Sequence, residues 1–333
     1  MTTVGVDVGA KNLVVAIRHK NSVEKVKTFT NNTVGHQAID KLCSKYHKYG
    51  KVRIAIEATG SYHFDLALAL DNNSKNDVIV ANPRATYAFA QAIMTRCKND
   101  KVDAEMLALF AEKMDHPLWK KPSNNAIKLR YFARAISSST VDKTKASNYL
   151  HALQSCLECP KELIKHTQQK IKFLEEEIEH LKKFVLLLIK QDEQLNQYFE
   201  LILTIKGFGE LSTIQLLAEI MTIPEGLTHK QWVALAGLDP RQVQSGTSIN
   251  KKSRISKAGN RHLRKSLFMP ALSASRCDPY VKGYFKHLID DRKLTKLQAI
   301  VAVMRKFIHA IHGMIHTLKP FDNTRFFKEP ALS

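Results

Sequence analysis

Asp7 interrupts an apolar run formed by Val4, Val6 and Val8, where an ionised carboxylate is costly unless something pairs with it. Glu57 closes a second apolar run, Ile54 to Ile56, just before Thr59 and Gly60. Asp100 and Asp103 lie in KNDKVDAEML (98–107) among lysines, three apart, so a helix beginning there presents both on one face. Four acids gathered at one spot repel one another unless cations neutralise them, and an all-oxygen ligand set suits Mg²⁺ or Mn²⁺. Two such ions about 3.5–4 Å apart activate an attacking oxygen and stabilise the leaving one on a phosphodiester. Each acid also has an ordinary reading: Asp7 paired with a lysine, Glu57 capping a helix, Asp100 and Asp103 complementing a helix dipole.

Convergence of these acids depends on the elements that carry them. TVGVDVG (3–9), LVVAIRHK (13–20) and VEKVKTFT (23–30) read as three consecutive strands rich in β-branched residues. HQAIDKLCSKYHKY (36–49) has apolar residues at helical spacing, VRIAIEA (52–58) returns to a strand, a helix follows over 62–70, and DVIVANP (77–83) is a short strand. Helical stretches over 84–96 and 101–114 complete the order βββαβαβα. That order predicts a mixed sheet with helices on both faces, as in the ribonuclease H-like fold, with the first and fourth strands adjacent and the four acids together. The DVGAKN turn also suits an actin-like ATPase or sugar kinase, but no second Asp/Gly phosphate turn follows in the carboxy-terminal half, and Asp100 and Asp103 would have no role there.

Composition narrows the partners. The 333 residues carry 51 Lys and Arg against 31 Asp and Glu, a formal charge of +20, which attracts polyanions by counterion release and makes nucleic acid the first partner to consider. The longest obvious apolar run, FVLLLI at 184–189, falls well short of the ~20 residues of a membrane span. The amino terminus lacks a signal peptide, so a cytoplasmic, nucleoid-associated protein is expected. Cysteines at 43, 97, 156, 159 and 277 do not suggest a disulfide framework. Cys156 and Cys159 form a CxxC, but with no second pair at zinc-finger spacing they are read as reduced structural thiols.

From about 126 the chain becomes basic and helix-compatible, with Lys128, Arg130 and Arg134 available to nucleic acid or to solvent. Residues 161–200 show a roughly heptad-like apolar pattern, which predicts a long helix serving as a dimerisation arm or spacer, or packing on its own domain. LTIKGFGELSTIQLLAEI (203–220) resembles a helix-hairpin-helix, whose turn at Lys206, Gly207 and Gly209 would offer backbone N–H groups to a phosphate. The polar, Gly/Pro-punctuated stretch between Gly237 and Lys251 reads as a loop with Ser245 at its centre. Beyond it, Lys251, Lys252, Arg254, Lys257, Arg261, Arg264 and Lys265 form a dense basic segment suited to a phosphate clamp, with Asn260 among them a further candidate contact to nucleic acid. Ser245 reads by composition as an ordinary turn serine; as a nucleophile it would need the cations of Arg254, Lys257 and Arg261 beside the phosphate.

GVDVG, IEATG, KNDKVDA, TIKGFG, ALAGLDP, QSG and ISKAGNRHLR, in that order, resemble the DEDD transposases of bacterial insertion sequences, insertion-sequence family one-hundred-and-ten, relatives of the Piv DNA invertase. The resemblance implies a RuvC-like metal-binding domain over 1–125, a helical or coiled-coil connector over 126–198, and a mainly helical transposase domain over 199–325. It implies divalent metal on Asp7, Glu57, Asp100 and Asp103, and covalent joining of DNA to Ser245. It further implies double-stranded DNA partners at element ends and target, a structured noncoding bridge RNA as guide, and, from the number of strands to be exchanged, a dimer or tetramer. A RuvC-like junction endonuclease using water, or a non-catalytic nucleic-acid-binding protein, are the alternatives. Asn99 stands where the family commonly has Thr, and Lys206 where Pro is frequent.

Overall fold

The protein is described from a computed structural model covering residues 1–58, 62–95, 99–245 and 249–327, with side chains placed outside 242–253. Two compact units divide the chain, Met1–Lys121 and Pro122–Ser333.

In the first unit the elements run β1 (Thr2–Val8), β2 (Asn12–His19), β3 (Ser22–Thr30), α1 (Thr33–Ser44), β4 (Val52–Glu57), α2 (Phe64–Asp71), β5 (Asn76–Ala81), α3 (Pro83–Ala92) and α4 (Asp100–Lys113). This is the expected order. The sheet is β3-β2-β1-β4-β5, antiparallel across β3, β2 and β1 and parallel across β1, β4 and β5. Because side chains alternate along a strand, Val4, Val6, Val8, Ile54 and Ile56 face one way, packing with Ile39, Leu42, Leu66 and Leu70 of α1 and α2. Ala55, Ile79 and Ala81 face the other way, against Met106, Leu107 and Phe110 of α4. Helices thus cover both faces, and α4 lies over the face that Asp7 and Glu57 share.

Gly5 sets how closely α4 approaches. A Cβ at Gly5 would collide with the backbone of Ala104 and Ala108, so only glycine lets the helix rest directly on β1. Overpacking against main chain that cannot yield costs ~1–3 kcal/mol or more. Gly5→Ala is therefore expected to lower the melting temperature of the chain by several degrees, and calorimetry checks it; an unchanged melt would mean that α4 is free to lift.

The second unit begins with a helical hairpin, α5 (Asn124–Gln154) and α6 (Lys161–Lys190). Phe132 stacks on Phe184 with ring centroids 6.5 Å apart, and Lys143 Nζ bonds Glu175 Oε1 at 3.5 Å, rungs at matching heights from the turn, so the two helices are antiparallel. The heptad-like stripe is thus covered within the chain: Ile178, Val185 and Ile189 share one core with Leu129, Ala133 and Ile136 of α5. That core continues through α7 (Glu193–Leu203), α8 (Glu210–Ile220), α9 (His229–Leu235), α10 (Arg261–Cys277), α11 (Pro279–Asp290) and α12 (Lys296–Thr317).

Between α9 and α10 the expected loop is instead a β-hairpin, β6 (Pro240–Ser245) antiparallel to β7 (Ile249–Ile255). Its strands are polar and lack the apolar alternation that marks a sheet buried on one face, and Ser245, which reads as a loop centre, is the last residue of β6. Among the described residues no helix is long and apolar enough to cross a membrane.

Candidate carboxylate site and nucleic-acid interface

Val6 pairs with Ile56 across the parallel β1 and β4 strands, so Asp7 and Glu57, the next residues, stand level at the strand ends. Asp7 is penultimate in its strand rather than central. Asn99 caps α4, its Oδ1 accepting from Val102 N at 3.0 Å. Asn does there what Thr also does at a helix start, so the departure from the family pattern leaves the cap intact. Asp100 and Asp103 then occupy the first turn, and the seat of α4 on Gly5 brings that turn over the end of β1.

The proton affinity of Asp7 registers the convergence. Burial, then the charges of Asp100, Asp103 and Glu57, push its pKa up to about 6. Glu57 is held by Thr86 of α3, whose hydroxyl donates to Oε2 at 2.7 Å. Thr86 is buried and was not visible as a site residue in the sequence; the only signal is the Asn82-Pro83 helix start that aims α3 at the strand end. Among the described residues no three His, Cys, Asp or Glu side chains are arranged so as to grip one ion as placed. The charges of Asp100, Asp103 and Glu57 bear on Asp7, and the all-oxygen donor set of the four acids fits a hard divalent cation.

In the second unit Ser245 closes β6, opposite Ile249. Its side chain, those of Lys251 and Lys252, and Gly246 lie outside the described residues. At the base of the hairpin Arg241 pairs with Arg254 and Pro240 with Ile255. Arg254, Lys257 and Arg261 are exposed and Arg264 is half-buried. These four line one groove of about 1380 Å³ floored by Phe268 and Met304. Arg264 also donates from Nη1 to Ala236 O at 2.8 Å, which ties the groove wall to α9.

Other candidates do different work. Asn260 caps α10, accepting from His262 N at 2.9 Å and Leu263 N at 3.2 Å, and donates from Nδ2 to Glu219 at 2.6 Å. Lys206 is exposed in the turn between α7 and α8. Gly207, at φ 107°, lies against Pro270 and Ala274 of α10 with no room for a Cβ. Gly209 N is bonded by Ser212 Oγ at 3.2 Å. Gly207 therefore serves helix packing, and Lys206, Gly207 and Gly209 do not line the groove.

Glu219 organises this neighbourhood. It is buried in α8 and receives Arg134 at 2.9 and 3.2 Å, Arg130 at 3.7 Å and Asn260. Burial alone would raise its pKa, but the hydrogen bonds and charge of Arg134, with Arg130 and Asn260, outweigh it and hold the carboxyl below its ordinary range. Arg130 and Arg134, which read in the sequence as a basic face, are spent on this acid. Glu219→Gln is expected to cost about 2 kcal/mol, less than the ~3–5 kcal/mol of a fully buried pair because both guanidiniums reach solvent. Chemical denaturation at pH 7 checks it. The deficit relative to wild type shrinks as pH falls through the lowered carboxyl range, where the wild-type acid also becomes neutral.

Comparison with known proteins shows the family. Residues 199–286 match the model of the transposase IS116/IS110/IS902 family, and residues 4–156 match a DEDD transposase model named for IS110. The chain is 32% identical over 325 residues to the pilin gene-inverting protein of Moraxella bovis, covering 96% of this chain and 98% of the relative. The pilin gene-inverting protein of Moraxella lacunata matches to the same extent. The chain belongs to the IS116/IS110/IS902 family of transposases.

Proposed function

We propose that this transposase is an RNA-guided DNA recombinase of an insertion sequence, which cuts and rejoins strands through Ser245 with divalent metal held by Asp7, Glu57, Asp100 and Asp103. The observation that carries the reading is the raised proton affinity of Asp7 among three other acids at the ends of β1 and β4. The mixed sheet, with β1 and β4 parallel and adjacent, supports a ribonuclease H-like, RuvC-like assignment for the first unit. When bound, Mg²⁺ or Mn²⁺ would supply positive charge to the phosphate oxygens.

The chain's own groups do the rest. Ser245 Oγ attacks phosphorus as its proton passes to solvent, the bond from phosphorus to the leaving deoxyribose oxygen breaks, that oxygen takes a proton from solvent to leave as a free hydroxyl, and a serine phosphodiester forms. The linkage keeps the energy of the broken bond, so attack by a new strand's hydroxyl restores DNA and frees the serine. Arg254, Lys257, Arg261 and Arg264, on one groove wall, stabilise charge on the phosphate and hold the backbone without reading bases. Sequence choice falls to the structured guide RNA that the family resemblance implies, and exchange of two duplexes requires at least two protomers.

The test is cleavage of duplexes carrying the element end, with guide RNA transcribed from the DNA flanking the gene. Cleavage and a protein-DNA adduct are expected only with RNA and divalent cation together; RNase or chelator abolishes both. Site-specific cleavage without RNA would remove the guide from the account, and cleaved DNA with no attached protein would favour a water-using endonuclease.

A further inference from the structure

Among the described residues neither cysteine of the CxxC pair belongs to a hydrophobic core. Among the described residues Cys43 is a buried free thiol, whereas Cys156 is exposed and Cys159 partly so. The reading of 156 and 159 as structural thiols is therefore corrected: they pack into no core. They lie in the turn that joins α5 to α6, at the apex of the helical hairpin.

Three features of that apex belong together. Cys159 N reaches back to Cys156 O at 3.5 Å and Cys156 N to Leu153 O at 3.1 Å, so a tight turn brings residues three apart side by side, the spacing with which one chain offers two thiolates to a single ion. Leu157, between them, is fully exposed at 104%, an apolar side chain at the outermost point. The arm is long and stiff. The unit's core takes its last α5 contribution at Ile136, and from there to Gln154 the helix runs roughly 27 Å at 1.5 Å per residue, sealed against α6 by Ala146, Thr167 and Leu174.

Two cysteines are half of a tetrahedral thiolate site. Among the described residues no third His, Cys, Asp or Glu completes a metal set with them. The missing pair need not come from elsewhere in the sequence, because a second copy of the chain carries the same two residues at the same exposed apex. We propose that Cys156 and Cys159 of two protomers bind one Zn²⁺ between their hairpin tips, four thiolates around one ion on a twofold axis, joining the arms end to end. Zinc is the assigned metal because four soft sulfur ligands in tetrahedral array favour it over Mg²⁺ or Mn²⁺. Four thiols lose four protons as the ion binds, so assembly is opposed by acid. The twofold arrangement is isologous, each tip meeting its own copy, and the two Leu157 side chains would lie beside the ion and shield it from water. This site uses none of the carboxylates, the serine or the groove, and it stands or falls apart from the proposed recombination.

The test uses the whole chain, reduced and metal-stripped, titrated with Zn²⁺ and separately with Co²⁺ as an optical probe. Wild type is expected to bind one metal per two chains with the absorption of tetrahedral tetrathiolate cobalt, and its mass in light scattering to double as zinc is added. Cys156→Ser and Cys159→Ser are each expected to lose that absorption and the zinc-dependent doubling, with circular dichroism and melting unchanged because, among the described residues, neither cysteine belongs to a core cluster. Saturation at one metal per chain, a cobalt spectrum with fewer than four sulfurs, or the same zinc uptake in the double serine variant would overturn the proposal. So would accessible reduced thiols that take up no zinc, or a Cys156-Cys159 disulfide that persists under the reductant.

Discussion

Asp7→Asn is expected to reduce strand cleavage by ~10³-fold or more while raising the melting temperature of the metal-free protein at pH 7. Both follow from one arrangement. Asp7 stands at the end of β1 level with Glu57, under the first turn of α4, and burial with three neighbouring acids lifts its pKa from an ordinary 3.8 to about 6. At pH 7 the folded state therefore holds a charge that it disfavours. The native state binds the proton more tightly than the unfolded chain does, so the contribution of this group to stability falls as pH rises from about 4 to about 6 and stays low above that. Asparagine removes the charge and flattens that slope. Discounted for the partial exposure of the site, the gain is about 1–2 kcal/mol. Divalent cation should stabilise wild type in the same pH range and the variant much less. Loss of activity with gain of stability separates a working site from a structural one; a variant less stable than wild type at pH 7 would show that Asp7 is held by a stabilising partner.

Ser245→Ala is expected to abolish the protein-DNA adduct, with recombination down by ~10⁶-fold, the scale of removing a covalent nucleophile. Binding should be unchanged, because the cations proposed to hold phosphate belong to Arg254, Lys257, Arg261 and Arg264. Ser245 closes β6 opposite Ile249, and the base of the hairpin carries Arg254 into the wall of the groove. The hairpin thus ties the serine's strand to the cations that would stabilise the reaction. An adduct formed by the alanine variant, seen as a shifted band in a denaturing gel, would assign the nucleophile to another residue. Loss of adduct together with loss of binding would mean that Ser245 shapes the interface instead.

The strands of the first unit were legible because β-branched runs and two misplaced acids mark them, and adjacency of the first and fourth strands follows from their order. What could not be read was distance. Nothing in GVDVG shows that Gly5 is the seat of α4, since the collision that fixes it involves Ala104 and Ala108, a hundred residues away. The hairpin over 240–255 was hidden because its strands are polar. Glu219 looks like a surface acid in an amphipathic helix, and Arg130 and Arg134 like a solvated basic face; only tertiary packing buries the acid and brings both guanidiniums onto it. Asn260 likewise reads as a nucleic-acid contact and is instead committed to a helix cap and to Glu219.

Titration of Mn²⁺ into the whole chain, followed by electron paramagnetic resonance, tests the carboxylate site most directly, in wild type and in an Asp7→Asn, Asp103→Asn double variant. Tight Mn²⁺ uptake by wild type, lost in the double variant while its helix and strand content is unchanged, is the predicted result. Equal uptake by both, or none by either, would contradict the claim that these acids gather around a shared ion.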